Sequence, residues 1–225
     1  SGYNRYPDPR QRELKQRLSE IKGVAAEQMV LGNGSDEIID LLIRSICEPG
    51  RDSIVVFEPG YSMYKVCADI NNVHAYSLSL DTHFLPDWEA LRGVMECDSN
   101  VKIIFICTPN NPVGKSVPLA QIIDLCKAVN CWVVVDEAYI DFSSQPSLAG
   151  FIKDFPNLIV LQTLSKAYGL AALRLGLAFA DERTMSMFAN VKYPYNISLA
   201  GMEKAMGLLR RDVAAEVEVI KAERA

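Results

Sequence analysis

The sequence predicts an α/β domain, with a mostly parallel, mixed sheet sandwiched between helices. Short β-branched runs alternate with helical stretches along its 225 residues. Two of the runs, KIIFIC (Lys102–Cys107) and CWVVVD (Cys131–Asp136), are nearly continuous in apolar side chains. Such runs mark parallel strands covered on both faces, and strands alternating with helices build parallel sheets.

The elements follow in order. Pro9–Ile21 reads as a helix, and the short apolar run Met29–Leu31 leads into GNGSDEII. Ser35–Cys47 is a helix whose Ile38, Ile39, Leu41, Leu42 and Ile46 supply the core stripe. Strand Ser53–Glu58, helix Tyr61–Ile70 and strand His74–Ser79 come next, then helix Pro86–Met95 and strand Lys102–Cys107. Helix Leu119–Val129 precedes strand Cys131–Asp136, and strands Asn157–Thr163 and Leu175–Ala180 bracket the stretch TLSKAYGLAALRLG. Helix Glu182–Val191 closes the alternation, and after about Ser198 the wholly helical pattern predicts one long helix leading out of the domain.

Composition narrows the function. With 49% hydrophobic and 23% charged residues the chain resembles a soluble globular protein with room for a substantial core. A net charge of −5 argues against nucleic acid or an anionic membrane as main partner, whereas small anionic ligands are still accommodated. The six cysteines lack any C-x-x-C pair and several sit in apolar runs, so buried reduced thiols are expected. His74 and His83 lie in a polar stretch without ligand spacing, so no metal is expected. No signal peptide or membrane-length apolar run is read, and the expected compartment is the cytoplasm. The opening SGYNRYPDP lacks a methionine and the end, VIKAERA, falls inside a helical pattern, so a segment of something longer is expected.

In parallel sheets ligands gather at the carboxyl ends of the strands. After Met29–Leu31, GNGSD offers glycines and a helix start at Ser35 or Asp36, which suits either an anion or a plain N-cap. After SIVVFE, Tyr61 and Tyr64 of PGYSMY are core aromatics or one ring for a planar ligand. After KIIFIC, the GKS of residues 114–116 imitates a nucleotide-phosphate loop. Pro109 occupies its first glycine position and Pro112 lies within it, removing N–H groups that such a loop needs. After WVVV, Asp136 is a strand-end carboxylate, either a cap or a partner for a cation, with Tyr139 three residues on. After NLIVLQT come Thr163, Ser165, Lys166 and the planar fork of Arg174. An aspartate, a stacking aromatic, an amide, phenols, a lysine and a phosphate-binding group at one sheet edge are the parts that hold pyridoxal 5'-phosphate.

The blocks NRYPDP, GNGSDEII, EPGYSMY, TPNNPVG, VVVDEAYIDF, TLSKAYGLAALRLG and PYNIS occur in one order along the chain. In that order they resemble the fold-type I pyridoxal-phosphate aminotransferases, most closely the histidinol-phosphate branch. The resemblance implies a large cofactor-binding domain and amino transfer between histidinol phosphate and 2-oxoglutarate. It implies that Lys166 holds the cofactor covalently and moves the substrate proton, and that Asp136 keeps the pyridine nitrogen protonated. It further implies that Asn111 and Tyr139 bond the cofactor's phenolic oxygen and that Tyr61 stacks on its ring. Ser35, Asp36, Thr163, Ser165 and Arg174 would meet the phosphate, with Tyr6 reaching in from the partner subunit of a homodimer.

Family members carry an N-terminal arm and a smaller C-terminal domain whose arginine grips substrate. The chain is expected to lack both, with residues 1–200 as the large domain and 201–225 as a helical segment toward the small one. Ala172 replaces a glycine common in relatives, a tolerable change. A threonine-phosphate decarboxylase, an aromatic aminotransferase or an inactive cofactor-binding fragment share these cofactor residues and stay open on sequence.

Overall fold

The structure, a computed structural model, describes residues 3–224; the outermost residues of SGYNRYPDP and VIKAERA lie outside it. Seven strands form one sheet: β1 (Met29–Asn33), β2 (Ser53–Glu58), β3 (His74–Ser79), β4 (Val101–Cys107), β5 (Trp132–Asp136), β6 (Leu158–Thr163) and β7 (Leu175–Phe179). Their spatial order is β1-β7-β6-β5-β4-β2-β3. Only β7 runs antiparallel, to both β1 and β6. The mixed, mostly parallel sheet is therefore as the sequence predicts, and the reversal of β7 is what brings its first residue to the carboxyl edge of the others.

Side-chain alternation splits the apolar runs between two cores. Ile104, Ile106, Val133 and Val135 face one core, and Ile103, Phe105 and Val134 face the other. The first core is closed by α1 (Arg12–Lys22), α4 (Trp88–Cys97), α5 (Leu119–Ala128) and α7 (Leu199–Leu208) through Leu14, Leu18, Leu91, Ile122, Met202 and Ala205. The second is closed by α2 (Gly34–Ile46), α3 (Met63–Ile70) and α6 (Glu182–Val191). On α2 the fully buried stripe is Ile38, Ile39, Leu41, Leu42 and Ile43, while Ile46 is only partly buried. All six cysteines are free thiols; four are buried, Cys107 is half-buried and Cys97 is exposed.

Helix starts move where a side chain offers a better cap. The α4 helix begins at Trp88 rather than Pro86 because the Asp87 carboxylate accepts the N–H groups of Glu89 and Ala90. Helix α1 begins at Arg12 rather than Pro9 for a backbone reason, since Gln11 takes a left-handed φ of 52°.

The single helix expected after Ser198 is two, α7 and α8 (Ala214–Arg224). Arg17 donates from Nη2 to the Leu209 carbonyl at 2.8 Å, which supplies a partner for a helix-end oxygen. Asp212 then accepts the Ala214 N–H at 2.9 Å and starts the next helix. Leu209 and Val217 are both buried, so the helical segment packs back on the domain.

Lys15 on α1 donates to the Met29 carbonyl at 2.6 Å. Burial and then the Lys192 ammonium push its pKa down to about 8. Between that value and the ordinary lysine range the unfolded chain binds the extra proton, so this residue makes stability rise with pH there. Urea unfolding from about pH 8 to pH 10 should show a gain in wild type that Lys15→Met lacks. Parallel pH profiles for the two would contradict this account.

Candidate active site

The carboxyl ends of β4, β5 and β6 and the start of β7 border one cavity, together with the first turn of α2. At the end of β5, Asp136 is 3% exposed. Its Oδ2 accepts the Tyr64 hydroxyl at 2.6 Å and its Oδ1 accepts the Ala138 N–H at 3.0 Å. Burial raises the pKa of this carboxyl, while those two hydrogen bonds and the Lys166 ammonium pull it back. Both donors are neutral, so the carboxylate is held in place yet not neutralised. A cationic N–H on a ligand is the complement such a group lacks.

Its neighbour Glu137 turns to the other side. Ser147, the Leu148 N–H and Gln162 donate to it, and it lines no part of the cavity. Adjacent strand residues face opposite ways, so only one carboxylate of the Asp-Glu pair serves this site.

After β6 the chain turns through Thr163, Leu164, Ser165 and Lys166. The Thr163 hydroxyl accepts the Ser165 N–H at 3.1 Å and reaches the Leu175 carbonyl at 3.2 Å and Ser165 Oγ at 3.0 Å. Its single proton is thus engaged within the loop, and Ser165 carries the hydroxyl better placed for a ligand. Lys166 is exposed, its Nζ 5.2 Å from the centroid of the Tyr139 ring. Asn111 and Tyr139 line the same cavity.

The α2–β7 side of the cavity is built by a close backbone approach. Gly34 has φ 78° and donates its N–H to the Arg174 carbonyl at 2.7 Å. A Cβ on Gly176 would stand 2.5 Å from Ser35 N and 2.6 Å from Gly34 O, so glycine alone fits. The N–H groups of Ser35 and Asp36 lie in the first turn of α2, where no intrahelical acceptor exists. Arg174 is exposed with φ 51°, and its Nη2 meets Asp36 Oδ2 at 3.1 Å. The Tyr61 hydroxyl donates to Asp36 Oδ1 at 2.7 Å, and burial followed by that contact raises the phenol's pKa. The Asp36 carboxylate is therefore turned onto Arg174 and Tyr61.

A carboxylate, an amine, a guanidinium, hydroxyls, phenols and an amide border one cavity, together with the backbone N–H groups of the α2 start. The donor set fits pyridoxal 5'-phosphate. Comparison with known proteins agrees. Residues 1–224 match the model of aminotransferase class I and II. The chain belongs to this family. A histidinol-phosphate aminotransferase of Parabacteroides distasonis is 49% identical over 217 residues, 96% of this chain and 62% of that relative. The chain thus spans less than two thirds of that relative's length. The solved histidinol-phosphate aminotransferase of Clostridium acetobutylicum superposes with a TM-score of 0.86 at 25% identity, over 99% of this chain and 67% of the other. That of Sinorhizobium meliloti, in complex with pyridoxal-5'-phosphate, gives 0.86 at 25%, over 96% and 60%.

Ten of the residues expected from sequence border the cavity: Ser35, Asp36, Tyr61, Asn111, Asp136, Tyr139, Thr163, Ser165, Lys166 and Arg174. Tyr6 does not. It is 81% exposed and stacks on Tyr195 with ring centroids 4.5 Å apart.

Two residues with direct roles at the site had no assigned part from sequence. Tyr64, stacked on Phe105 at 4.7 Å, delivers its hydroxyl to Asp136. Helix α3 begins at Met63 rather than at the expected Tyr61, so Tyr64 lies in its first turn and Tyr61 just before it, their rings edge to face at 5.6 Å. Cys107 pairs with Asp136 in the β4–β5 register and lines the cavity, its thiol pushed up to about 12 by burial and then by Asp136.

The GKS decoy is closed by its own loop, where Gly114 N–H bonds the Asn110 carbonyl at 2.7 Å and Val113 N–H bonds Asn110 Oδ1 at 3.2 Å. Those donors are spent.

Tyr64→Phe removes one of two donors to a buried carboxylate and should cost about 1–3 kcal/mol, read as a lower urea midpoint with unchanged slope. Gly176→Ala should cost about 1–3 kcal/mol by overpacking and lower the melting temperature. A neutral outcome for either would show that its contact is relaxed in solution.

Proposed function

We propose that the whole polypeptide is a pyridoxal-phosphate-dependent transaminase. It would convert histidinol phosphate and 2-oxoglutarate to imidazole acetol phosphate and glutamate in the cytoplasm. The observation that carries this is the gathering around one cavity of Lys166, Asp136, Arg174, Ser165 and the first turn of α2. Relatives at 42–49% identity that are histidinol-phosphate aminotransferases support the substrate.

When bound, pyridoxal 5'-phosphate supplies an aldehyde that condenses with amines and a ring that accepts electrons from the substrate's Cα. Lys166 has the amine suited to hold that aldehyde, and its free Nζ would carry the proton at Cα once substrate replaces it. Asp136 would hold the proton on the ring nitrogen, fixed by Tyr64 and the Ala138 N–H. Asn111 and Tyr139 would orient the ring through its phenolic oxygen. Tyr61, tethered to Asp36, would cover one ring face. Ser35, Asp36, Ser165 and Arg174 would receive the phosphate, with Thr163 shaping the turn. In this reading the protein is a homodimer in which Tyr6 serves the partner's site, as its exposure and its place outside the lining of its own cavity support. Residues 1–200 act as the cofactor domain, and 201–225 lead toward a substrate-gripping part.

Two experiments test the reading. Wild-type protein supplied with pyridoxal phosphate should gain a visible absorbance band, and borohydride should then fix the cofactor to Lys166, located by peptide mass. Lys166→Ala should show neither; label on another lysine, or no band in wild type, would reject the assignment. With full-length protein, histidinol phosphate should be the preferred amine over phosphothreonine and aromatic amino acids. In that assay Asp136→Ala should lower kcat by about 100-fold or more.

A further inference from the structure

Asn196, in the PYNIS segment after α6, uses all four of its side-chain valences. Its Nδ2 donates to Glu37 Oε2 at 2.7 Å and to the Leu31 carbonyl at 3.1 Å. Its Oδ1 accepts Lys192 Nζ and Gln11 Nε2, both at 2.8 Å. One amide therefore ties α1, the end of β1, the first turn of α2 and the loop after α6 together.

Glu37 is the informative partner. Its Oε2 also accepts the Asn33 N–H, so it covers the donor just before the helix start. A carboxylate in that first turn is well placed by the helix dipole. Left untethered, it would also be drawn to the neighbouring N–H groups of Ser35 and Asp36, the two that the cavity needs for an anion. Asn196 holds it on Asn33 instead, and Lys192, bound to the same amide, adds a cation beside it.

We infer that Asn196 is a positioning residue for the phosphate end of the cofactor site: by holding Glu37 on Asn33, it keeps the N–H groups of Ser35 and Asp36 open to an anion. The inference rests on the cavity's holding pyridoxal phosphate, as proposed above.

The test compares binding of pyridoxal 5'-phosphate and pyridoxal to the same protein by absorbance titration. Pyridoxal has the aldehyde and ring but no phosphate, so the ratio of the two dissociation constants isolates the anion end. Asn196→Ala should shrink the preference for the phosphorylated form by about tenfold, the loss of one well-placed hydrogen bond, with pyridoxal binding unchanged. Adding Glu37→Gln to Asn196→Ala should recover most of that preference, because the freed group is no longer an anion. A general loss of packing would weaken both ligands alike, and that result would overturn the inference, as would an unchanged ratio. Should Asn196→Ala fail to fold, Asn196→Leu keeps the volume, loses the same bonds without adding charge, and gives the same comparison. Wild type that binds neither ligand would instead overturn the cofactor assignment itself.

Discussion

The backbone of Gly34 lies directly on that of Gly176, sealed by the hydrogen bond from Gly34 N–H to the Arg174 carbonyl. This contact joins the start of α2 to the start of β7. Because β7 is antiparallel to its neighbours, its first residue arrives at the edge where β4, β5 and β6 finish. One backbone contact therefore puts helix N–H groups and the Arg174 guanidinium at the same corner as the ends of three parallel strands. A side chain at Gly176 would wedge that corner open, and one at Gly34 would be strained by its φ of 78° and displace the Arg174 guanidinium.

Charge is distributed unequally across the cavity. Asp136 is buried with neutral donors only, an arrangement that costs desolvation and leaves a negative group seeking a cation. Arg174 at the far end is exposed and shares its charge with Asp36. Such an exposed pair contributes little to stability, so its value lies in geometry: it turns the Asp36 carboxylate away from the helix N–H groups. The Tyr61 hydroxyl makes the same choice for the other oxygen. Glu37 is the second carboxylate of that turn, and Asn196 restrains it. The two acids of the first turn are thus each tied to a partner, Asp36 to Arg174 and Tyr61, Glu37 to Asn196 and Asn33.

Much of the site was legible because its residues sit where strands end. Apolar runs announce strands, and the residue after a run is by construction at a sheet edge, so Asp136, Thr163, Ser165 and Lys166 could be grouped before any contact was known. What proved harder were choices made between segments distant in sequence. Tyr64 reaches Asp136 across 72 positions, and Thr163 spends its hydroxyl on a carbonyl of the next strand. The broken helix after α7 has the same origin. Local pattern favours continuity through RRDV, whereas Arg17, distant in sequence, takes up the Leu209 carbonyl where the first helix ends.

By itself, the sequence determined the alternation of strands and helices, the two-sided burial of the central strands and the chemical inventory at their ends. Those depend on periodicity and on what each residue type can donate, accept or bury. Tertiary structure alone decided the reversal of β7, the pairing of Arg174 with Asp36, the role of Tyr64 and the four-way engagement of Asn196. Each is a contact between groups far apart along the chain, and its energy exists only once the sheet has brought them together.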